Sequence, residues 1–216
     1  MKYGAIIFDL DGTLLDTLDD IAFSMNAALR ELGAPPHPPH DYRHLVGQGL
    51  GTLAYLALPE EKRDEKTVEQ CVAAMRKVYE ERWACSTIPY AGIPEMLASL
   101  RRAKVRCAVC SNKAHDFTVK IVTRFFGAAA FETVLGGGKF APKPDPAGAL
   151  HSAAAMGAAP EDFLYVGDSD VDMKTAVNAG MYPVGAAWGF RSKEELLTNG
   201  AKVIINKPEE IVSLIQ

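Results

Sequence analysis

Ala5-Ile-Ile-Phe-Asp-Leu-Asp-Gly-Thr-Leu14 decides how this chain is read. Its apolar residues predict a buried strand over Ala5–Leu10, and Gly12 turns the chain sharply where the run ends. Side chains alternate along a strand with period two. Asp9 and Asp11 therefore lean to one side while the chain stays extended, with Leu10 opposite. Two carboxylates held that close repel unless a cation sits between them or one carries a proton. The stretch predicts either a bound metal or a split pair, one carboxylate an ionised nucleophile and the other an acid. A solvated Asp-Gly turn is the competing reading, and the apolar run directly before the acids argues against it.

Similar apolar segments recur at Val105–Cys110, Thr133–Leu135, Phe163–Val166, Tyr182–Ala186 and Val203–Ile205. Between them Ile93–Leu100, Phe117–Phe126 and Pro146–Met156 carry helical spacing. Strands alternating with helices predict an α/β fold: a doubly wound, Rossmann-like parallel sheet covered on both faces, with ligands at the carboxyl ends of its strands. The first interval breaks this rhythm, because the stretch between Leu10 and Val105 is far longer than a crossover needs. Most of it reads as helix, at Leu18–Leu32, Gly51–Leu58 and Val68–Trp83. Thr17-Leu-Asp-Asp20 has the form of a capping box opening the first of these, and Gly33-Ala-Pro-Pro-His-Pro-Pro39 breaks it. The expected division is an α/β core from residues 1–16 and 87–216 with an inserted α-helical subdomain, residues 17–86. Leu15-Asp16-Thr17 and Thr87–Gly92 are its hinges. A helical lid beside a catalytic strand end excludes water and selects the substrate. The tail from Gly189 completes the core through strand Val203–Ile205 and a closing helix, Pro208–Ile215.

With 216 residues, 48% hydrophobic and 23% charged, the chain has the composition of a soluble globular protein. Its net charge of −4 with no lysine or arginine block gives no reason to expect a nucleic-acid or membrane partner. Met1-Lys2-Tyr3 leads into the first strand without a signal-peptide pattern, so the expected location is cytoplasmic. The four cysteines fit that setting. Cys107-Ala-Val-Cys110 has the spacing of a redox or zinc half-site. In a β-rich run, however, a separation of three points the two thiols to opposite faces. Cys71 and Cys85 have no partner spacing, and buried free thiols are expected.

Three further features follow later strands. Ser111-Asn112-Lys113 supplies a hydroxyl and an amide, and Ser111 is placed either as an anion donor with backbone N–H groups at a helix start or as that helix's N-cap. Lys143 stands between Pro142 and Pro144, which pre-order a flexible cation at a loop mouth. The preceding Gly136-Gly-Gly-Lys139 fails the phosphate-loop pattern, with Phe140 where Ser or Thr is required. Asp168, Asp170 and Asp172 have the spacing that starts a calcium loop. Met173 takes its glycine position and Ala179 its closing glutamate, so magnesium suits these acids better. His37, His115 and His151 read as surface residues.

Together these features resemble the haloacid dehalogenase-like hydrolase superfamily, whose four motifs occur in order: Asp9-Leu-Asp11-Gly-Thr, Ser111-Asn112, Lys143 and Gly167-Asp168-Ser-Asp-Val-Asp172. The insertion straight after the first motif is similar to the helical-cap subclass. Asp16-Thr-Leu-Asp-Asp20-Ile, Val46-Gly-Gln-Gly49-Leu and the tail from Trp188 resemble its phosphoglycolate phosphatase-like branch. The resemblance implies that Asp9 is the nucleophile, forming an aspartyl-phosphate, and that Asp11 is the general acid and base. It implies Mg2+ held by Asp9, the Asp11 backbone carbonyl and Asp168, with Asp172 a direct or water-mediated ligand. It also implies a phosphoryl clamp of Gly12, Ser111, Asn112 and Lys143, the lysine also steadying Asp9.

The expected reaction is magnesium-dependent hydrolysis of a small phosphorylated metabolite, with 2-phosphoglycolate first. Pyrophosphate and sugar or nucleotide phosphates are alternatives, and a catalytically inactive binding protein is the rival of another class. Dehalogenation fits less well, since it lacks an acid at the place of Asp11. Phosphonoacetaldehyde hydrolysis needs a cap lysine, absent from His44–Pro59. Specificity is expected from His40–Gly49, where Gly47 and Gly49 bring backbone near a ligand and Arg43 or His44 meets a substrate carboxylate.

Overall fold

A computed structural model describes residues 3–215, so the Met1-Lys2 start and Gln216 lie outside the described residues. Six parallel strands form the central sheet: β1 (Ala5–Phe8), β4 (Arg106–Ala114), β5 (Thr133–Gly137), β6 (Phe163–Gly167), β7 (Tyr182–Ala186) and β8 (Val203–Ile205), in the order β5-β4-β1-β6-β7-β8. The chain moves outward from β1 in one direction to β4 and β5, then returns to its other side with β6. The switch point thus lies at the carboxyl end of β1, where an open α/β sheet binds ligands.

Period-two alternation sorts the strand residues between two cores. Ile6, Phe8, Val109, Leu164 and Val166 join one, with α5 (Ile93–Arg102), α6 (His115–Phe126) and α10 (Ile211–Leu214). Ala5, Ile7, Ala108, Phe163 and Tyr165 join the other, with α7 (Ala147–Ala155) and α8 (Asp170–Asn178). Cys107 and Cys110 divide between the two, so their thiols point apart and all four cysteines are free. Cys85 differs from the expectation of burial, being exposed just after a helix end.

Helices α1 (Leu18–Glu31), α2 (Tyr42–Leu45), α3 (Leu50–Ala57) and α4 (Glu65–Arg82) fill the first interval. The two hinge segments pair as an antiparallel ribbon, β2 (Leu15–Asp16) with β3 (Ile88–Pro89), so the chain leaves and re-enters the core at one place. Two residues per strand are too few for any periodicity to show.

The capping-box reading of Thr17 and Asp20 is corrected. Thr17 makes no side-chain cap bond. Asp20 is wholly buried and accepts instead from the Ser86 and Thr87 backbone N–H groups and the Thr87 hydroxyl, at 2.9–3.1 Å. A helix-start carboxylate has gone to the far hinge, because the Thr87 donors there are buried and would otherwise lack an acceptor. Two endpoints also move. β1 stops at Phe8, since Leu10 O accepts from Thr13, Leu14 and Leu15 and curls the chain. The closing helix shrinks to a 3₁₀ turn at Pro208–Glu210 and the four residues of α10. Three helices, α2, α8 and α9 (Lys193–Thr198), have no counterpart among the expected ones. No described helix is long and apolar enough to cross a membrane.

Candidate active site

Asp9 emerges from β1 with its N–H bonded to Val166 O at 2.9 Å, and the curl at Leu10 carries Asp11 to the same opening. Gly12 closes that curl at φ +87° and lies against Asp168: a Cβ there would stand 2.3 Å from Asp168 Oδ2. Glycine is required for both the conformation and the close approach. Thr13 Oγ1 and Phe190 N–H donate to Asp168 at 3.0 and 2.7 Å, fixing both of its oxygens.

Lys143 reaches from its proline-bounded loop into this group. Its Nζ lies 2.8 Å from Asp9 Oδ1 and 2.6 Å from Asp172 Oδ1, and it donates to Cys110 O at 3.1 Å. Asp172 holds the start of α8 through a reciprocal capping box with Ser169. Its second oxygen accepts from the Ser169 N–H and hydroxyl. Asp172 therefore anchors Lys143 as well as adding a carboxylate.

Ligand oxygens of Asp9, Asp168 and Asp172 all fall within 4.8 Å of one another, and all three residues are buried. Burial, with Asp172 alongside, pushes the Asp9 carboxyl up to about 7 even though Lys143 pulls the other way. Burial and its acidic neighbours hold Asp168 well above the usual carboxylate range. For Lys143 burial opposes the charge, and Asp172 and Asp9 more than offset it. One ammonium thus leaves three buried carboxylates short of positive charge. A hard divalent cation fits that oxygen donor set. The Asp11 side chain is not one of these donors.

Asp11 has a lysine of its own. Lys113 Nζ lies 3.1 and 3.2 Å from its two carboxylate oxygens and 4.7 Å from the centre of the Tyr79 ring. Burial works against the Lys113 charge, but the adjoining Asp11 carboxylate prevails and raises its pKa. The expectation that a cation or proton between Asp9 and Asp11 resolves their repulsion is therefore amended: each carboxylate has a separate ammonium.

β4 runs on to Ala114 through an irregularity in its pairing with β5, so Ser111, Asn112 and Lys113 lie in the strand. Ser111 is neither at a helix start nor an N-cap; its hydroxyl accepts from the Lys113 N–H at 3.2 Å. Asn112 ties three segments together, donating to Gly47 O and Lys143 O and accepting from the Lys143 N–H at 2.8–3.0 Å. The glycine run beside it serves close packing. A Cβ on Gly136 would stand 2.5 Å from His115 Cα, and one on Gly137 2.7 Å from Asn112 O. His115 accepts from the Gly136 N–H, and His37 approaches Ala57 O at 2.7 Å, so neither is a bare surface residue.

A cavity of about 70 Å³ joins Asp9, Asp11, Ser111, Asn112, Lys113 and Phe117 to an opposite wall of Ile21, Val46, Gly47, Gly49, Leu50, Leu53, Met75, Arg76 and Tyr79. Gly47 and Gly49 line the cavity. Arg43 and His44 do not line the cavity: α2 leaves both side chains exposed. Arg191, unremarked in the sequence, reaches across instead and donates to Val46 O at 3.0 Å. Lys113 was the other residue missed, and its i, i+2 relation to Ser111 along a strand was the available signal.

The haloacid dehalogenase-like hydrolase family model matches residues 6–186. The chain is 32% identical over 211 residues to a phosphoglycolate phosphatase of Aquifex aeolicus, covering 97% of this chain and 95% of that one. It is also 32% identical to a phosphoglycolate phosphatase of Pseudomonas putida, over 93% of this chain and 75% of that one. Among solved structures, a protein from Lactobacillus delbrueckii subsp. bulgaricus, described as a candidate phosphoglycolate phosphatase, superposes with a TM-score of 0.93 at 28% identity. That superposition covers all of this chain and 99% of the other.

Proposed function

The chain belongs to the haloacid dehalogenase-like hydrolases, and from that premise we propose that it hydrolyses 2-phosphoglycolate, a small phosphate monoester, through an aspartyl-phosphate. The observation that carries this reading is the buried Asp9 carboxylate, gripped by Lys143 and opening on the same cavity as Asp11 and Ser111. A cavity of about 70 Å³ is several times the ~10–15 Å³ one water needs, which gives room for a leaving group of a few heavy atoms. The named relatives support the same substrate.

In the mechanism, an Asp9 oxygen attacks phosphorus as the ester P–O bond breaks, and Asp11 gives its proton to the departing oxygen, releasing glycolate. Asp11 then takes a proton from water as that water attacks phosphorus, freeing inorganic phosphate and restoring Asp9. Lys143 offsets the charge on Asp9 and, with Ser111, the Asn112 backbone and the Gly12 backbone, orients the phosphoryl oxygens. Magnesium, held by Asp9, Asp168 and the Asp11 carbonyl with Asp172 beside them, would neutralise the repulsion between nucleophile and phosphate. The residues 17–86 act as a cap, and their apolar wall keeps bulk water from the intermediate. Four free thiols support a reducing, cytoplasmic setting.

The test is a magnesium-supplemented screen of 2-phosphoglycolate, pyrophosphate, sugar phosphates and nucleotides, read as kcat/KM. The expected result is the highest value for 2-phosphoglycolate and turnover at least ~10⁴-fold lower in Asp9→Asn. A higher kcat/KM for any other class sinks the substrate; equal turnover by the Asp9→Asn variant sinks the mechanism.

A further inference from the structure

We propose that Lys113 is the residue that reads the charge of the leaving group, a specificity-determining contact for an anionic substituent such as a carboxylate. This rests on the phosphatase reading above and deepens it. The cavity wall opposite the sheet is apolar except at Arg76 and Tyr79, so a charged substituent must meet one of these or a group on the sheet side. Among the described residues that line the cavity, two are cationic: Lys113 and Arg76.

Both are paired to a carboxylate, and exposure separates them, Arg76 being the more open. Its guanidinium pairs with Asp116 and lies over the Phe117 ring, 5.1 Å from the centroid. Its side chain is 40% exposed, against 8% for Lys113. An ion pair open to solvent gives little discrimination, whereas a buried one is poorly screened. Lys113 therefore offers the stronger field inside the cavity.

Position supports the same choice. Lys113 contacts both oxygens of Asp11, the proposed proton donor to the ester oxygen. A substituent on the carbon attached to that oxygen comes within reach of Nζ. An ammonium has three N–H donors, and Asp11 approaches from one side only. Tyr79 lies under the ammonium, which also acts on its buried hydroxyl, and that hydroxyl has no other partner of normal hydrogen-bond geometry among the described residues. The two polar tips thus share one end of the cavity. A buried polar site built for a charged group discriminates strongly against the analogue that lacks it.

The experiment compares 2-phosphoglycolate with ethyl phosphate, in which a methyl group replaces the carboxylate, in wild type, Lys113→Met and Lys113→Gln. Wild type is expected to prefer 2-phosphoglycolate. The preference, as a ratio of kcat/KM values, is expected to fall by about 10–100-fold in both variants, the scale of one charge-assisted hydrogen bond. Residual ethyl phosphate turnover shows that the variants are folded. A preference that survives in the variants overturns the role of Lys113 and leaves the proposed substrate standing. A fall of equal size on both substrates overturns it too, since Lys113 then acts only by positioning Asp11. A wild type that does not distinguish the two esters overturns the substrate and this inference together.

Discussion

At the carboxyl edge of the sheet, Asp9, Asp168 and Asp172 are buried and held by ion pairs or hydrogen bonds to Lys143, Thr13, Phe190 and Ser169. Across the cavity, Ile21, Val46, Leu50, Leu53 and Met75 present no polar side-chain atom capable of a strong hydrogen bond. The contrast separates charge, concentrated on the sheet side, from shape and water exclusion, supplied across the cavity. Charges on the sheet side must be preorganised to a fraction of an ångström, which backbone strands and short loops provide. The opposite wall has only to exclude water and fit a shape, which exchangeable apolar side chains on helices do well.

The sharpest way to break this division is to remove a charge from the sheet side without changing its shape. Asp11→Asn is expected to lower kcat by about 10²–10⁴-fold while the fold stays intact. The check is steady-state kinetics beside a melting curve. A loss under tenfold would mean that the proton comes from elsewhere, and the sheet side would lose half its proposed machinery.

The hinge gives a test of stability rather than turnover. Asp20→Ala leaves the Ser86 and Thr87 donors without their acceptor, which costs about 2–4 kcal/mol. In a chain of this length that corresponds to a fall in Tm of roughly 4–16 °C. An unchanged Tm in thermal denaturation would show that the hinge pin contributes nothing and that the helical insert is held by packing alone.

The smallest expected effect concerns the acid cluster itself. In the metal-free protein the Asp9 carboxyl stands at about 7, against 3.8 for an ordinary aspartate. A folded-state acid raised in this way makes the fold most stable below about pH 4 and erodes that stability as pH rises toward 7. Magnesium should recover it, and with fewer competing protons at pH 8 than at pH 5.5. At ten times its Kd the ion adds about 1.4 kcal/mol, or roughly 3–6 °C in Tm at pH 8. Scanning calorimetry should show a smaller gain at pH 5.5; an equal gain at both would argue that the cation binds elsewhere.

Much of the sheet side can be read from residues alone. Tyr182–Ala186 and Val203–Ile205 form strands with the bounds their apolar runs suggest. Asp9 and Asp168 follow directly on apolar strands beside the switch point, whereas Ser111 and Lys143 gain their roles only from the family resemblance. The facing wall resists such reading. Arg43 and His44 drew attention as charges near glycines, yet the orientation of a four-residue helix decides that they face solvent, and no local pattern encodes it. Asp20 looks like a cap because the donors that capture it lie 66 and 67 residues further on. Lys113 was hidden by a boundary: expecting a helix after Ser111 removed the alternation that puts both residues on one face.

The paired hinge has a consequence for how such a protein is assembled over evolutionary time. Leu15 opposite Pro89 and Asp16 opposite Ile88 bring the two ends of the insert side by side, about one strand spacing (~4.8 Å) apart. For the sheet and its acids, everything between Asp16 and Ile88 amounts to one turn of a hairpin. Helices of another size and lining can occupy that turn while the chain still leaves and re-enters the core at the same ribbon. The molecule is in that sense a reaction centre with an interchangeable keyhole.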